Sequence, residues 1–421
     1  MWRTERAALI IIFLVGFLGQ SFAQTNNSPY TVNGLGDINP LGFTTNQGMG
    51  GLGVSNGQTW YLNNVNPAML TKNHFTVFEA GLSLENRKIA DGAGKQTNFS
   101  GGLSYIALGL PVMVNKWSAS VGIMPYSIVN YDILEKTVLD TVDVNYNYTG
   151  DGGLSQVFFA NGFKVAKNLS LGVKASLIFG TIKKETKVTG VDIDVPFPYV
   201  SSRKSETSMS GVTFTTGLVY KIALDKKTFI NTGLTYAFAS NLGAENIETV
   251  ELSIRGAARP IPIDTLTNSL NQKVHLPSSF AFGVSFEKLN KLTFGVDVHL
   301  TQWGDYKNVE NTPHSLINNS KIIVGAEYTP DYTSVNGFLN RATYRVGIEQ
   351  EKLPFRLSGE QINDFGINFG GSFPVGLSSL NIGFKIGQRG TTKNNLVKEN
   401  YFRINFGVSF NDRWFQRRVL N

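Results

Sequence analysis

Tyr401–Phe410 reads YFRINFGVSF. Phe402, Ile404, Phe406, Val408 and Phe410 share one parity; Arg403, Asn405, Gly407 and Ser409 share the other. Successive side chains of a strand point to opposite faces, so this stretch is a strand with one greasy and one polar face. The same alternation precedes it. Leu380, Ile382, Phe384 and Ile386 oppose Asn381, Gly383, Lys385 and Gly387. Phe365, Ile367, Phe369 and Phe373 oppose Asp364, Gly366, Asn368, Gly370 and Ser372. Working back to Phe75, the pattern predicts fourteen strands: 75–87, 96–111, 115–128, 153–165, 168–185, 206–222, 228–241, 278–288, 291–305, 319–329, 340–350, 364–374, 378–390 and 399–411.

A soluble sandwich also alternates. Two features favour a membrane barrel instead. The apolar face is unbroken on strand after strand, as a lipid-facing wall requires. The other face holds small residues and isolated charges, as a wet lumen would: Lys174, Asp297, His299, Glu327, Arg345, Glu349, Lys385 and Arg403. The connections run long, short, long, short. The long ones are 88–95, 129–152, 186–205, 242–277, 306–318, 351–363 and 391–398. Such a rhythm suits short periplasmic turns, long outer loops and both termini in the periplasm. The connection 330–339 is long for its side.

Composition agrees. Of 421 residues, 44 are Gly and 29 Phe, and none is Cys, which removes a disulfide framework and thiolate metal sites. The net charge of +7 is spread along the chain without a basic block, so nucleic acid is not an expected partner. At the front, Arg3 and Arg6 precede the apolar run Ala7–Gly19 and a small-x-small site, Ser21-Phe22-Ala23. Residues 1–23 read as a cleaved signal peptide. That divides the chain into 1–23, an N-terminal hatch 24–73, a barrel 74–411 and a C-terminal tail 412–421. The tail carries Trp414, Phe415, Arg417 and Arg418, either as an interface anchor or as a frayed basic end.

Gln47–Leu70, QGMGGLGVSNGQTWYLNNVNPAML, has neither helical nor strand period. Irregular backbone at membrane depth needs protein or a watered cavity around it, so this stretch is read as a plug inside the barrel. Gly48, Gly50 and Gly51 formally open a G-x-G-x-x-G. No strand precedes it and no acidic residue follows within 54–78, so tight packing is the better reading than nucleotide binding. Pro125 lies inside an apparent strand. Proline cannot donate to a ladder, so either the strand ends at Met124 or the wall is locally unpaired there. His74, His275, His299 and His314 do not stand at metal-ligand spacing. Asp297 and His299 share the lumen face, either as solvated wall residues or as a proton-sensitive pair. No motif supports catalysis, and no cofactor is expected.

Several pieces resemble one family: Ser28-Pro29-Tyr30, Gly34-Leu35-Gly36-Asp37, Gly48-Met49-Gly50-Gly51, Asn66-Pro67-Ala68, Met124-Pro125-Tyr126, and the run from Tyr148 to Gly180. Together they resemble the FadL-like outer-membrane barrels, the long-chain fatty-acid transporter family, in the form common in Bacteroidota-type bacteria. The resemblance covers nearly the whole mature chain. It implies an all-β fold, a monomeric 14-stranded antiparallel transmembrane barrel with a hatch, in the outer membrane of a Gram-negative bacterium. It implies Asn66, Pro67 and Ala68 as hatch motif, and Met124, Pro125 and Tyr126 as the kink where a hydrophobic solute leaves sideways. No loop stretch matches the surface hydrophobic groove of the long-chain transporters. Some relatives serve type IX secretion. The expected function is therefore passive uptake of a hydrophobic, fatty-acid-like small molecule or lipid from the cell surface, through an apolar lumen pocket on a greasy-to-polar path and sideways into outer-membrane lipid. The alternatives are an accessory secretion barrel, with 242–277 binding a partner protein, and a general porin.

Overall fold

The computed structural model describes residues 28–91, 94–139, 142–191, 199–254, 261–309 and 316–413. The expected signal peptide, and Trp414, Phe415, Arg417 and Arg418 of the tail, lie outside them. A two-residue strand, β1 (Asp37–Ile38), belongs to the N-terminal segment. The wall then runs β2 (Thr76–Ala90), β3 (Lys95–Met113), β4 (Trp117–Ile128), β5 (Tyr131–Leu139), β6 (Val142–Lys164), β7 (Leu169–Val191), β8 (Tyr199–Ala223), β9 (Thr228–Ala237) and β10 (Ser240–Ile254). It continues with β11 (Ile261–Leu276), β12 (Ser279–Lys288), β13 (Leu292–Thr301), β14 (Asn319–Tyr328), β15 (Thr343–Leu357), β16 (Glu360–Val375), β17 (Ser378–Gly390) and β18 (Lys398–Asp412).

All pairings are antiparallel, and β18 pairs with β2 along its whole length, which closes the sheet. Of the eighteen strands, β1 is not part of the wall, and β4/β5, β9/β10 and β11/β12 are each one crossing with an interruption, which leaves fourteen crossings. The fold is the closed 14-stranded antiparallel transmembrane barrel expected from the alternation. Its outer face is apolar: Phe402, Phe406 and Phe410 of β18, Ile367 and Phe369 of β16, and Phe282 and Phe286 of β12 are all exposed. Their inward neighbours Asn405, Ser409, Asn368 and Ser285 are buried.

Four of the expected loops are largely strand, among them 351–363, which is the outer end of the β15–β16 hairpin. Stretch 129–152 is largely the β5–β6 hairpin, 186–205 is mostly the continuation of β7 into β8, and 242–277 is mostly the β10–β11 hairpin. Backbone groups that leave the membrane still need partners, and the neighbouring strand supplies them more cheaply than isolated coil does. The result is a sheet, in the order β5-β6-β7-β8-β10-β11, continuing past the barrel at the long-loop end.

The N-terminal segment runs through the barrel. Ser28 Oγ donates to Glu399 (2.6 Å) and its N–H to Asn130 O (2.9 Å), both at the long-loop end. Lys72 reaches Glu287 (2.7 Å), next to the β12–β13 turn at the other end. The expectation that both termini lie on the short-turn side therefore holds for Asp412 but not for Ser28.

Candidate functional site

Residues 28–73 are seated by inward glycines. A Cβ at Gly172 would collide with Ala68 N, one at Gly217 with Asn66, one at Gly233 with Val54 O, and ones at Gly325 and Gly347 with Met49. Some of these glycines face each other across the ladders, as in Gly162↔Gly172↔Gly217 and Gly295↔Gly325↔Gly347. The small inward residues, read from the sequence as the face of a wet lumen, thus make room for the N-terminal segment. The glycine-asparagine stretch then satisfies its own backbone. Asn66 caps the turn Pro67–Lys72: its Oδ1 accepts from Ala68 N (3.0 Å), its Nδ2 donates to Val54 O (2.7 Å), and Pro67 takes the first position. Gly48 closes the short helix Thr44–Gln47. Gly50 and Gly51 adopt left-handed φ of 72° and 98°, which glycine tolerates without a Cβ penalty. Asn66-Pro67-Ala68 is thus seated against β7 and β8, and the glycine run against β14 to β16.

Most of the expected lumen charges are buried and paired. Asp297 is fully buried and accepts from the N–H groups of Gly53 (2.8 Å) and Val54 (2.9 Å). Gly283 leaves room for that carboxylate to reach inward. Glu327 binds Arg345 (3.1 Å) and Gln58 (2.5 Å). Glu349 bridges Lys385 (2.8 Å) and Lys321. Arg403 and Arg87 share Glu85, and Arg87 also pairs with Glu399. Arg389 ties Asp364 of β16 (3.0 Å) to Asp37 of β1 (2.8 Å). No hydrogen bond among the described residues joins Asp297 to His299, whose Nε2 has no partner. The proton-sensitive pair is not formed, because the segment's amides hold Asp297. His74 and His275 bond Asn115 and Asn241; His314 lies outside the described residues. No cluster among the described residues could hold a metal. Burial, and then the Glu399 charge, push the Tyr30 phenol up to about 12, so it stays protonated and donates to Val397 O.

Between this segment and the long-loop end lies a cavity of about 380 Å³. The volume is within the usual range for a small-molecule pocket. Its lining is divided. One arc is apolar: Tyr126, Ile178, Leu276, Trp303, Leu353 and Phe355. The other is charged: Lys321, Glu349, Asp364, Lys385, Arg389 and Arg403. The apolar lumen pocket expected from the sequence is present only as this arc, with charged side chains beside it.

Beside the apolar arc the wall is interrupted. The β3–β4 ladder stops at Ile106↔Ile123. Above it, Lys95–Tyr105 of β3 pair only with β2 among the described residues. A Cβ on Gly102 would meet open space. β4 does not end at Met124. It continues to Ile128, stays paired to β6 through Pro125↔Ser155, and bulges at Tyr126. Having left β3, it pairs with the N-terminal segment: Asp37↔Ile128, Ile38↔Ser127, and Asn39 N–H to Tyr126 O (2.9 Å). Met124 is buried against Phe43, Leu62 and Tyr105. The neighbouring strand bends at the same level. Gly153 has φ 146°, and a Cβ there would strike the Ser127 carbonyl.

Sequence reasoning singled out Met124, Pro125 and Tyr126 and assigned 24–73 to the hatch, but missed Gly153, the pairing of β1 with β4 and the glycine seat. The signal for the seat was present: inward-parity glycines in mid-strand.

A family model described as BamG matches residues 6–421. Among solved structures, the CymD monoaromatic hydrocarbon channel aligns at TM-score 0.58 and 14% identity, over 90% of this chain and 100% of that one. A Pseudomonas aeruginosa FadL homologue aligns at 0.56 and 13%, over 88% and 98%. The Pseudomonas putida toluene transporter TodX aligns at 0.53 and 14%, over 86% and 96%. At these identities the likeness is one of fold. No curated protein sequence matches.

Proposed function

The chain belongs to the BamG family, and from that membership together with the FadL-type barrel we propose that it is an outer-membrane channel for passive movement of small hydrophobic molecules. Solute enters at the long-loop end, rests in the divided cavity, and leaves sideways between β3 and β4. Residues 24–73 act as a fixed hatch, 74–411 as the barrel and 412–421 as a periplasmic tail. Asn66, Pro67 and Ala68 lock the hatch; Met124, Pro125 and Tyr126 hold the exit. A hydrophobic solute gains nothing by crossing to water below the hatch, whereas the wall gap leads into lipid. The cavity's charged arc favours solutes with one polar end.

The observation that carries this reading is the ladder that stops at Ile106↔Ile123 while β4 turns inward beside the cavity. Residues 28–73 fill the lumen below, which weighs against a general porin. The test is uptake of a fluorescent fatty-acid analogue by cells expressing the wild type or Pro125→Val. Slower uptake with a correctly folded barrel is expected. Wild-type uptake no greater than that of cells lacking the protein overturns it.

A secretion accessory role has one observation in its favour: the sheet β5-β6-β7-β8-β10-β11 beyond the barrel, a surface that suits a protein partner. Mass spectrometry of what co-purifies separates the two, a stoichiometric protein favouring secretion and a small amphiphile favouring uptake.

A further inference from the structure

At the short-turn end, most connections are two to four residues long. The exception is 329–342, TPDYTSVNGFLNRA, between β14 and β15. Its length is not slack. Thr329 and Thr343 hydroxyls bond across its base (2.8 Å), and Thr329 N–H donates to Lys291 O (2.9 Å). Asp331 N–H donates to Asn340 O (2.8 Å), Asp331 Oδ1 accepts from Thr333 N–H (3.0 Å), and Gly337 N–H donates to Ser334 Oγ (3.1 Å). The turn has therefore tied up much of its backbone polarity internally. Its apolar side chains point the other way: Val335 is 85% exposed and Leu339 60%, with Tyr332 and Phe338 also exposed.

Its position decides what those side chains meet. The short helix Phe338–Arg341 does not hang below the lumen. Phe338 stacks on Phe373 (6.4 Å between centroids), and Phe373 has the parity of the lipid-facing Phe365, Ile367 and Phe369. Tyr344, which shares the outward face of β15 with Val346 and Ile348, donates to Leu339 O (3.1 Å). The turn is thus folded against the outside of the barrel, at its rim. Exposed Val375 and Leu377 of the β16–β17 turn extend the same patch.

We infer that turn 329–342 is a membrane anchor seated among the lipids of the periplasmic leaflet, at the boundary of headgroups and acyl chains. The occupant is lipid because the patch is continuous with the lipid-facing wall and lies outside the barrel's circumference. Amphipathic structures with satisfied backbones and aromatic flanks settle at that depth. Tyr332, Val335, Phe338 and Leu339 enter the leaflet. Asp331, Asn340 and Arg341 stay at its surface. The anchor stands far round the barrel from the β3–β4 break, six strand-to-strand interfaces one way and eight the other. It would hold the closed side at a fixed depth while leaving the broken side free of it.

The protein has no cysteine, so single labels are clean. Val335→Cys, Leu339→Cys and, as a control on another short turn, Lys226→Cys carry an environment-sensitive NBD probe. The full chain is folded into phosphatidylethanolamine/phosphatidylglycerol vesicles containing lipids with a spin label high on the acyl chain, and folding is checked by heat-modifiable gel mobility. The expected result is blue-shifted, quenched emission at 335 and 339, with water-like, weakly quenched emission at 226. Water-like emission at all three sites in folded protein overturns the inference. So does emission that is water-like in vesicles while the same sites in native outer membranes are shielded from a maleimide, which would mean a protein partner. If one variant fails to fold, the other site gives the same reading.

Discussion

The wall from β14 round to β2 and the wall from β3 to β7 share one alternation but are held in different ways. On the first side, charges cross from strand to strand inside the lumen. Arg345 of β15 meets Glu327 of β14, Glu349 of β15 meets Lys385 of β17, Arg389 of β17 meets Asp364 of β16, and β18 and β2 exchange Arg403–Glu85 and Arg87–Glu399. Ladders there are continuous, apart from an irregularity near the outer end of β15–β16. On the second side no ion pair crosses the wall strands at this depth among the described residues. Buried positions there include apolar Tyr105, Met124, Phe158 and Ile178, but also Ser120, Gln156, Ser176 and Lys174. Lys174 donates to Asn64 O (3.0 Å) of the N-terminal segment rather than to a wall strand. The register shifts at Tyr126, and Gly153 takes a positive φ. Directional, buried pairs fix the register of neighbouring strands, whereas apolar contacts tolerate a strand that leaves its neighbour. The barrel is thus cross-linked by charge where its ladders are continuous, and lacks such cross-links where the β3–β4 ladder stops.

The largest expected effect tests the stitched side. Arg87→Met leaves Glu85 and Glu399 buried with one partner fewer, at a cost of about 3–5 kcal/mol, the usual penalty for breaking a buried pair from one side. Urea unfolding in vesicles measures it. A loss under about 1 kcal/mol would mean the network does not hold the wall. Next comes the lipid face that both sides share. Phe406→Arg should cost roughly 2–4 kcal/mol, the midplane penalty in such barrels. The same change at Asn405, which borders the cavity, should cost much less. Equal costs would reverse the face assignment.

The broken side predicts a contrast between two glycines on its strands. Gly153→Ala puts a Cβ on a left-handed residue and against the Ser127 carbonyl, so about 1–3 kcal/mol should be lost to strain. Gly102→Ala meets open space and should stay within about 1 kcal/mol. Similar values at both sites would show that the bend is not fixed at Gly153.

The stitched side was the more legible in sequence. Its strands keep strict parity, so Phe402 to Phe410 announce lipid and Asn405 announces interior from local pattern alone. What the interior contains was legible only in part: Gln47–Leu70 read as a plug, but the residues that seat it did not stand out. Gly172 and Gly325 on an inward face suit water or a packed backbone equally, and the choice depends on residues 28–73, far away in sequence. Strand pairing also continues where the apolar face ends, as at Ser201–Ser205, so β7, β8 and the β10–β11 hairpin were cut short and their outer halves read as loops. Pro125 was visible as an anomaly because proline is rare in a closed ladder. Gly153 was not, since glycine is common on every strand here.

The smallest expected change in stability is the most informative about the opening. Pro125 has no N–H to give, and β4 leaves β3 just before it, after Ile123. Valine restores a donor and suits an extended strand. Were proline alone keeping β3 and β4 apart, Pro125→Val would extend the ladder toward Tyr105 and protect its amides from hydrogen exchange. But β4 is also drawn inward by Asp37↔Ile128, Ile38↔Ser127 and the Asn39–Tyr126 bond, and Met124 is buried below. Those contacts persist in the variant and oppose closure. The two tendencies nearly cancel, so global stability should move by less than about 1 kcal/mol, as for substitutions that leave buried contacts intact. Local protection should rise between Leu103 and Ile106. A variant with unchanged exchange there would assign the break to the N-terminal segment, and Asp37→Ala, which leaves Arg389 with Asp364 alone and loosens β1, would then be the change that lets the wall close.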